Sequence, residues 1–286
     1  MKRIALLTAA TLVLGGCAAT PLHEDSTITI VASTNVYGDI AQSIGGDLVS
    51  VTSLIASSAQ DPHSFEASAR DQLTVSKAQL VIENGGGYDP FVDTLLAASA
   101  SDPVVINASD VFGLADGANE HLWYSFAAMS LVVSSISDAL TSIDPTNAET
   151  FAANAAAFTA QLDSLEAQAA AISSGQGVAV TEPVPVYLLQ SAGLRNLTPP
   201  DFTQAIEEGS DVPPLALQQT LDLFSTGAVA LLAYNDQTAS PETERVRSAA
   251  EAVGIPVVNF TETLPDGVDY ISWMTSNIDA VATALG

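Results

Sequence analysis

Two of the three histidines in this 286-residue chain lie in polar, turn-rich stretches just past apolar runs. His63 is in Asp61-Pro62-His63-Ser64-Phe65-Glu66, and His121 is in Asn119-Glu120-His121-Leu122-Trp123-Tyr124-Ser125. Neutral imidazole is the commonest protein ligand for zinc and related ions. A chain so sparing with histidine that sets two of them in such contexts has the makings of a metal site. His23 falls in the N-terminal stretch, away from both motifs. The run Gly85-Gly86-Gly87 lacks the spacing and following lysine of a phosphate loop and reads as a turn that ends a strand.

Strands and helices must carry these loops. Thr27 to Ala32, Val49 to Ile55, Gln79 to Glu83 and Pro103 to Ile106 read as strands. Tyr37 to Ile44, Ala67 to Lys77, Asp89 to Ala98 and about Trp123 to Ile143 read as helices between and after them. Asp144-Pro145 then opens the longest helix, with aspartate suited to the N-cap and proline to the first helical position. An alanine-rich run carries it to about Ser173, where Gly175 and Gly177 end it. The alternation resumes with strands at Val178 to Glu182, Val229 to Tyr234 and Pro256 to Phe260. Helices follow at Pro214 to Ser225, Pro241 to Val253 and Tyr270 to Leu285. Short strands alternating with helices predict parallel βαβ units. The fold class expected is α/β, with two βα lobes of parallel sheet joined by a long, rigid backbone helix. The boundaries are 1–16, a signal peptide; 17–26, a tether; 27–144, the N-terminal lobe; 145–175, the linking helix; and 176–286, the C-terminal lobe.

The N-terminus sets the compartment. Lys2 and Arg3 precede the apolar run Ile4 to Leu14, which is too short for a stable membrane span and has the layout of a secretion signal. The ending Leu14-Gly15-Gly16-Cys17 resembles a bacterial lipobox, in which the cysteine is lipidated. Cys17 is the only cysteine, so no internal disulfide forms, and lipidation would use the thiol. No later stretch reads as apolar for long enough to cross a bilayer. Beyond the signal only Arg70, Lys77, Arg195, Arg245 and Arg247 are basic, against 33 acids. Nucleic acid is excluded as a partner, because phosphate binding needs a basic footprint. The acidic surface suits a salty habitat and is not itself a site.

Nearly the whole mature chain resembles the zinc/manganese solute-binding lipoproteins of ABC importers (cluster A-I). The resemblance rests on the Asp61–Glu66 motif, His121-Leu122-Trp123, the long central helix, and Tyr270-Ile271-Ser272-Trp273-Met274. It implies one metal ion held in the cleft between lobes by two residues from each. The first two ligands match His63 and His121. The third matches Glu182 in Val180-Thr181-Glu182-Pro183. The fourth matches Glu262 in Phe260-Thr261-Glu262-Thr263, where the family commonly has aspartate, with Asp236 in reserve. Glu66 and Glu120 are expected to orient the histidines. Every assigned ligand lies in a loop or at a strand end, on the edge where open α/β sheets bind ligands.

The cargo expected is one divalent ion. Histidine with carboxylate and no thiolate fits manganese, zinc or ferrous iron. The segment Ala108 to Glu120 has no histidine and the third ligand is an acid, which puts manganese ahead of zinc. The resemblance further implies an ABC permease as partner. It also implies a monomer anchored through Cys17 to the outer face of the bacterial cytoplasmic membrane. Two other classes fit a secreted chain: a metallohydrolase, and a surface adhesin or structural lipoprotein. No HExxH pattern or Ser/His/Asp arrangement supports catalysis.

Overall fold

Side chains alternate across a strand, so an apolar strand with both faces covered must feed two cores. That division organises this chain, described here in a computed structural model for residues 27–57, 62–172 and 175–286, with only the backbone of His63 included. Cys17, His23, Asp61 and the rest of the signal and tether lie outside the described residues.

In the first half β1 (Ile28–Thr34), β2 (Val49–Ile55), β3 (Leu80–Glu83) and β4 (Val104–Asn107) form a parallel sheet in the order β2-β1-β3-β4. Helices α1 (Asn35–Gly45), α2 (Ala69–Val75), α3 (Pro90–Ala97) and α4 (Ala108–Phe112) connect and follow its strands. Two longer helices come next, α5 (Phe126–Ile143) and α6 (Ala148–Ile172). The second half repeats the plan. Strands β5 (Gly177–Val180), β6 (Arg195–Asn196), β7 (Leu232–Asn235) and β8 (Val257–Phe260) pair in parallel in the order β6-β5-β7-β8. Helices α7 (Val186–Ser191), α8 (Pro200–Glu207), α9 (Pro214–Ser225), α10 (Pro241–Ala252) and α11 (Tyr270–Leu285) complete it. In each sheet the chain leaves the first strand to one side and returns on the other. This creates a switch point between β1 and β3, and another between β5 and β7.

Ile30 and Ala32 of β1, Leu80 and Ile82 of β3, and Val178 and Val180 of β5 all belong to one apolar cluster that crosses both halves. The opposite faces feed separate outer cores: Val31 and Val81 pack with Val75 and Val92, while Ala179, Leu232 and Tyr234 pack with Phe202 and Val246. Helix α6 joins the halves. Its 25 residues span about 38 Å. Phe151, Ala155, Phe158, Leu162, Leu165 and Ala169 form its buried stripe at alternating steps of four and three. That stripe lies in the shared cluster, and α6 packs on α1, α5, α7 and α11.

Some boundaries differ from the sequence-based expectation. Asp144 and Pro145 open a 3-10 turn, with Asp144 Oδ1 accepting from Thr146 N at 3.0 Å, before α6 begins at Ala148. The helix expected from Trp123 starts at Phe126. Leu122–Tyr124 form a 3-10 turn, and Ser125 caps α5 by accepting from Ala128 N. Helix α5 is, contrary to expectation, long and apolar enough by length and composition to cross a membrane. Half of it is buried as a core helix, with Val132, Val133, Ile136 and Leu140 facing the shared cluster. The short elements α4, α7, α8 and β6 lie below the length at which hydrophobic periodicity is legible.

The shared cluster makes a specific demand on unfolding. Leu165→Ala should destabilise the protein by about 2–5 kcal/mol, by lost burial plus a residual cavity. Because α6 serves both halves, denaturant titration should show one transition whether followed by far-UV circular dichroism or by tryptophan fluorescence. Two separated transitions would show that the halves hold independent cores.

Candidate metal centre

The turn Gly85-Gly86-Gly87 takes φ of 69°, 65° and 99°, which only glycine adopts without strain. A Cβ on Gly85 would also strike the Asn107 side chain at 2.1 Å. The buried Asp89 carboxylate closes this turn by accepting from Asn84 N at 2.7 Å and Gly85 N at 2.8 Å. The result sets Tyr88 inward, 1% exposed, at the carboxyl edge of the first sheet. Asn84 Nδ2 donates to Glu120 O at 2.9 Å and ties this turn to the segment that carries His121.

His121 is completely buried. Its ring stands edge-on to Trp123, with centroids 5.2 Å apart, and to Tyr88 at 5.9 Å. Nδ1 lies 2.7 Å from Asn119 Oδ1, and that oxygen also accepts the His121 backbone N–H at 3.2 Å. The amide is oriented by its other end, because Asn119 Nδ2 donates to Pro183 O at 2.9 Å. An amide oxygen only accepts, so the Nδ1 position carries the proton and Nε2 presents its lone pair. Tyr187 donates to Asn119 O at 2.7 Å, which fastens the same segment to the second half.

Glu182 and Glu262 are buried at the carboxyl edge of the second sheet, 1% and 0% exposed. Asn235, at the end of β7, lies between them. Its Nδ2 donates to Glu182 Oε2 and, at 2.8 Å, to Glu262 Oε1. Thr238 adds a second donor to Glu182 Oε2 at 2.5 Å. Tyr88 reaches across from the first half and donates to Glu262 Oε2 at 3.0 Å. Burial, with the Glu262 charge and hydrogen bond, pushes the Tyr88 hydroxyl well above the usual tyrosine range, so it remains a donor. Gln237 Oε1 accepts from Glu262 N at 2.5 Å. The loop after β8 is held by the first half at two more points. Asn35 exchanges two bonds with the Leu264 backbone, at 3.0 and 2.9 Å, and Tyr124 donates to Thr261 O at 2.8 Å.

The structure thus gathers three of the four sequence-assigned residues. Asn235 joins Glu182 to Glu262, and Tyr88 joins Glu262 to the His121 ring. The backbone of Pro62–Ser64 forms a 3-10 turn after β2, and the His63 side chain lies outside the described residues. Two residues named as supporting or reserve lie at the surface. Glu66 is exposed, two residues before the Ser68 that caps α2, so it faces solvent. Asp236 is exposed as well, because the residue after Asn235 points out of the sheet edge. Asn119 orients His121 through Nδ1, a contact the sequence reading did not single out. Glu120 instead meets Glu207, the last residue of α8, which the sequence reading did not single out. Ligand atoms of Glu120, His121 and Glu207 lie within 4.8 Å of one another, with Glu207 Oε1 3.7 Å from His121 Nδ1. Burial, then repulsion from Glu120, Glu182 and Glu262, pushes Glu207 up to about 8. None of the five basic side chains of residues 27–286 is buried.

A family model described as the periplasmic component A of the zinc-uptake complex (ZnuA) matches residues 30–284. The manganese-binding lipoprotein MntA of Halalkalibacterium halodurans is 32% identical over 163 residues, a match that spans 54% of each chain. The manganese ABC transporter substrate-binding lipoprotein scaA of Streptococcus gordonii is 24% identical over 100% of this chain and 99% of its own. Among solved structures, the periplasmic zinc-binding protein TroA from Treponema pallidum superposes with a TM-score of 0.78. That match is 18% identical and covers 91% of this chain and 99% of that one.

The raised carboxyls fix a sign for the pH dependence. Glu207, at about 8, and Glu83, pushed by burial to about 7, hold protons in the folded chain that the unfolded chain has lost above about 4.5. The folded state binds more protons across that window, so metal-free stability falls as pH rises from about 4.5 to 8. Thermal melts across this range should show the decline, and Glu207→Gln should flatten its upper part. A metal-free protein whose stability rises over the same range would contradict the assignment.

Proposed function

The chain belongs to the periplasmic zinc-uptake component A family, and on that premise we propose that it captures a divalent transition metal outside the cell and hands it to an ABC permease. His63, His121, Glu182 and Glu262 are the proposed ligands, two from each half. One observation carries the reading. Two buried carboxylates are joined through Asn235, Tyr88 connects one of them to a buried imidazole, and no basic side chain among the described residues is buried to offset them. Burying carboxylates costs several kcal/mol each unless they are paired or bind a metal. A dehydrated divalent cation with two neutral imidazoles and two carboxylates closes that account at zero net charge. Binding without turnover is expected, since the cleft residues are committed to holding the ion.

The anchor is part of the proposal. Lipidated Cys17 would hold a monomer at the outer face of the bacterial cytoplasmic membrane, within reach of its permease. Processed Cys17→Ser protein should appear in the soluble fraction, and unchanged membrane attachment would remove the anchor.

Metal binding is tested by thermal shift. Zinc or manganese at a thousandfold excess over the dissociation constant should stabilise the protein by about 4 kcal/mol. Magnesium and calcium should do far less, because histidine ligates hard cations poorly. His63→Ala, His121→Ala, Glu182→Ala and Glu262→Ala should each lose most of this stabilisation. Equal stabilisation by magnesium and manganese would overturn the reading.

A further inference from the structure

The two residues before His121 tie it to opposite halves of the molecule. Glu120 O accepts from Asn84 Nδ2 at 2.9 Å, which anchors the segment in the first half. Asn119 anchors it in the second. Its Nδ2 donates to Pro183 O at 2.9 Å, and its backbone oxygen accepts from the Tyr187 hydroxyl at 2.7 Å. Pro183 to Tyr187 is the short run that leads from Glu182 into α7. Val184 within that run is fully buried in the shared cluster, so the anchor is a firm one.

The two ends of the Asn119 amide have separate tasks. The oxygen accepts from the His121 backbone N–H at 3.2 Å and lies 2.7 Å from ring Nδ1. The nitrogen faces Pro183. A flip would set the NH2 group against a backbone N–H and the oxygen against a carbonyl, so the amide has one workable orientation. That orientation settles the ring as well. An oxygen facing Nδ1 requires the proton to be on Nδ1, which leaves Nε2 as the basic nitrogen. A second acceptor stands farther off: Glu207 Oε1 is 3.7 Å from the same Nδ1, beyond hydrogen-bond distance.

From this arrangement we infer that Asn119 is a positioning residue for metal capture: one amide fixes the tautomer of His121 and holds that ring in register with the Glu182 segment of the other half. The inference rests on the reading of His121 and Glu182 as ligands. Groups that share an ion must be held to within about 0.5 Å of their working geometry by the residues around them. Where the two groups belong to different halves, a side chain bonded to both segments sets that spacing directly. The tasks can be separated by mutation. Asn119→Ala removes both ends of the amide, whereas Tyr187→Phe loosens only the tie across the halves.

The test measures zinc affinity by competition titration in the full chain. Nitrogen NMR of the metal-free protein at about pH 8, where imidazole is neutral, reports the tautomer of each histidine. The resonances missing from His121→Ala identify the ring. Wild type should hold a single tautomer with the proton on Nδ1. Asn119→Ala should lose zinc affinity by about 10- to 100-fold, the usual effect of removing the outer partner of a ligand. With Glu207→Ala added to remove the other acceptor near Nδ1, the ring should show both tautomers. Tyr187→Phe should keep the wild-type tautomer and lose affinity about fivefold, the share of one net hydrogen bond. It also keeps the test open if Asn119→Ala folds poorly. A wild-type proton on Nε2, a single tautomer in the double variant, or undiminished binding by Tyr187→Phe would overturn the inference alone. Undiminished zinc binding by His121→Ala or Glu182→Ala would overturn the ligand reading and this inference with it.

Discussion

Carboxyl groups buried in the interior, while every basic side chain of residues 27–286 stays at or near the surface, are the constraint around which this molecule is arranged. Glu182 and Glu262 are nearly inaccessible, Glu207 is close behind them, and Arg70, Lys77, Arg195, Arg245 and Arg247 all remain at or near the surface. The many surface acids are a different matter, since water and salt screen them. In the cleft such screening is weak. Glu207 responds by holding its proton to about pH 8. The other two carboxyl groups are oriented by hydrogen bonds from neutral donors. That leaves a cavity edge whose electrostatics favour a small cation.

The fold supplies the rigidity that such a site requires. The face of each sheet that looks toward α6 belongs to one apolar cluster, so the two halves share a core and do not merely touch. Tyr270 strengthens the union: its hydroxyl donates to Trp123 O at 2.7 Å, and its backbone N–H donates to Asp39 at 2.9 Å. A wide hinge motion would tear this cluster. Beyond the shared cluster, the loop after β8 meets the first half through Asn35, Tyr88 and Tyr124. Those contacts are a few hydrogen bonds, each worth about 1 kcal/mol net. Parting these contacts would therefore cost little beside the stability of the shared core.

Much of this was legible in the sequence, and the limits have physical causes. β-branched runs between helices located β1, β2, β5 and β8 to within a few residues, and Asp144-Pro145 located the start of the linking helix to within one turn. His121, Glu182 and Glu262 could be singled out because each sits in a motif or at a strand end. Asn235, Tyr88, Asn119 and Glu207 could not. Asn235 matters only because β7 pairs between β5 and β8, a fact of strand order that no local pattern encodes. Tyr88 matters because a three-glycine turn aims it at a carboxylate 174 positions away. Glu207 reads as one of a pair of acids in an unassigned stretch, and becomes distinctive only when α8 brings it beside His121.

Among the described residues, the hydrogen-bond partners seen for His121, Glu182 and Glu262 are neutral: Asn119, Tyr88, Asn235, Gln237 and Thr238. A lysine or arginine at any of these places would satisfy a carboxylate more strongly. It would also cancel the charge that attracts the cargo, and an incoming ion would have to displace it. Neutral donors avoid that competition. They orient both carboxyl groups and the His121 ring without adding a positive charge. The same logic accounts for the uncharged Asn235 between two acids. A third carboxylate there would repel both neighbours, and a basic side chain would neutralise them. An amide with two hydrogens can satisfy both acids at once without adding a charge between them.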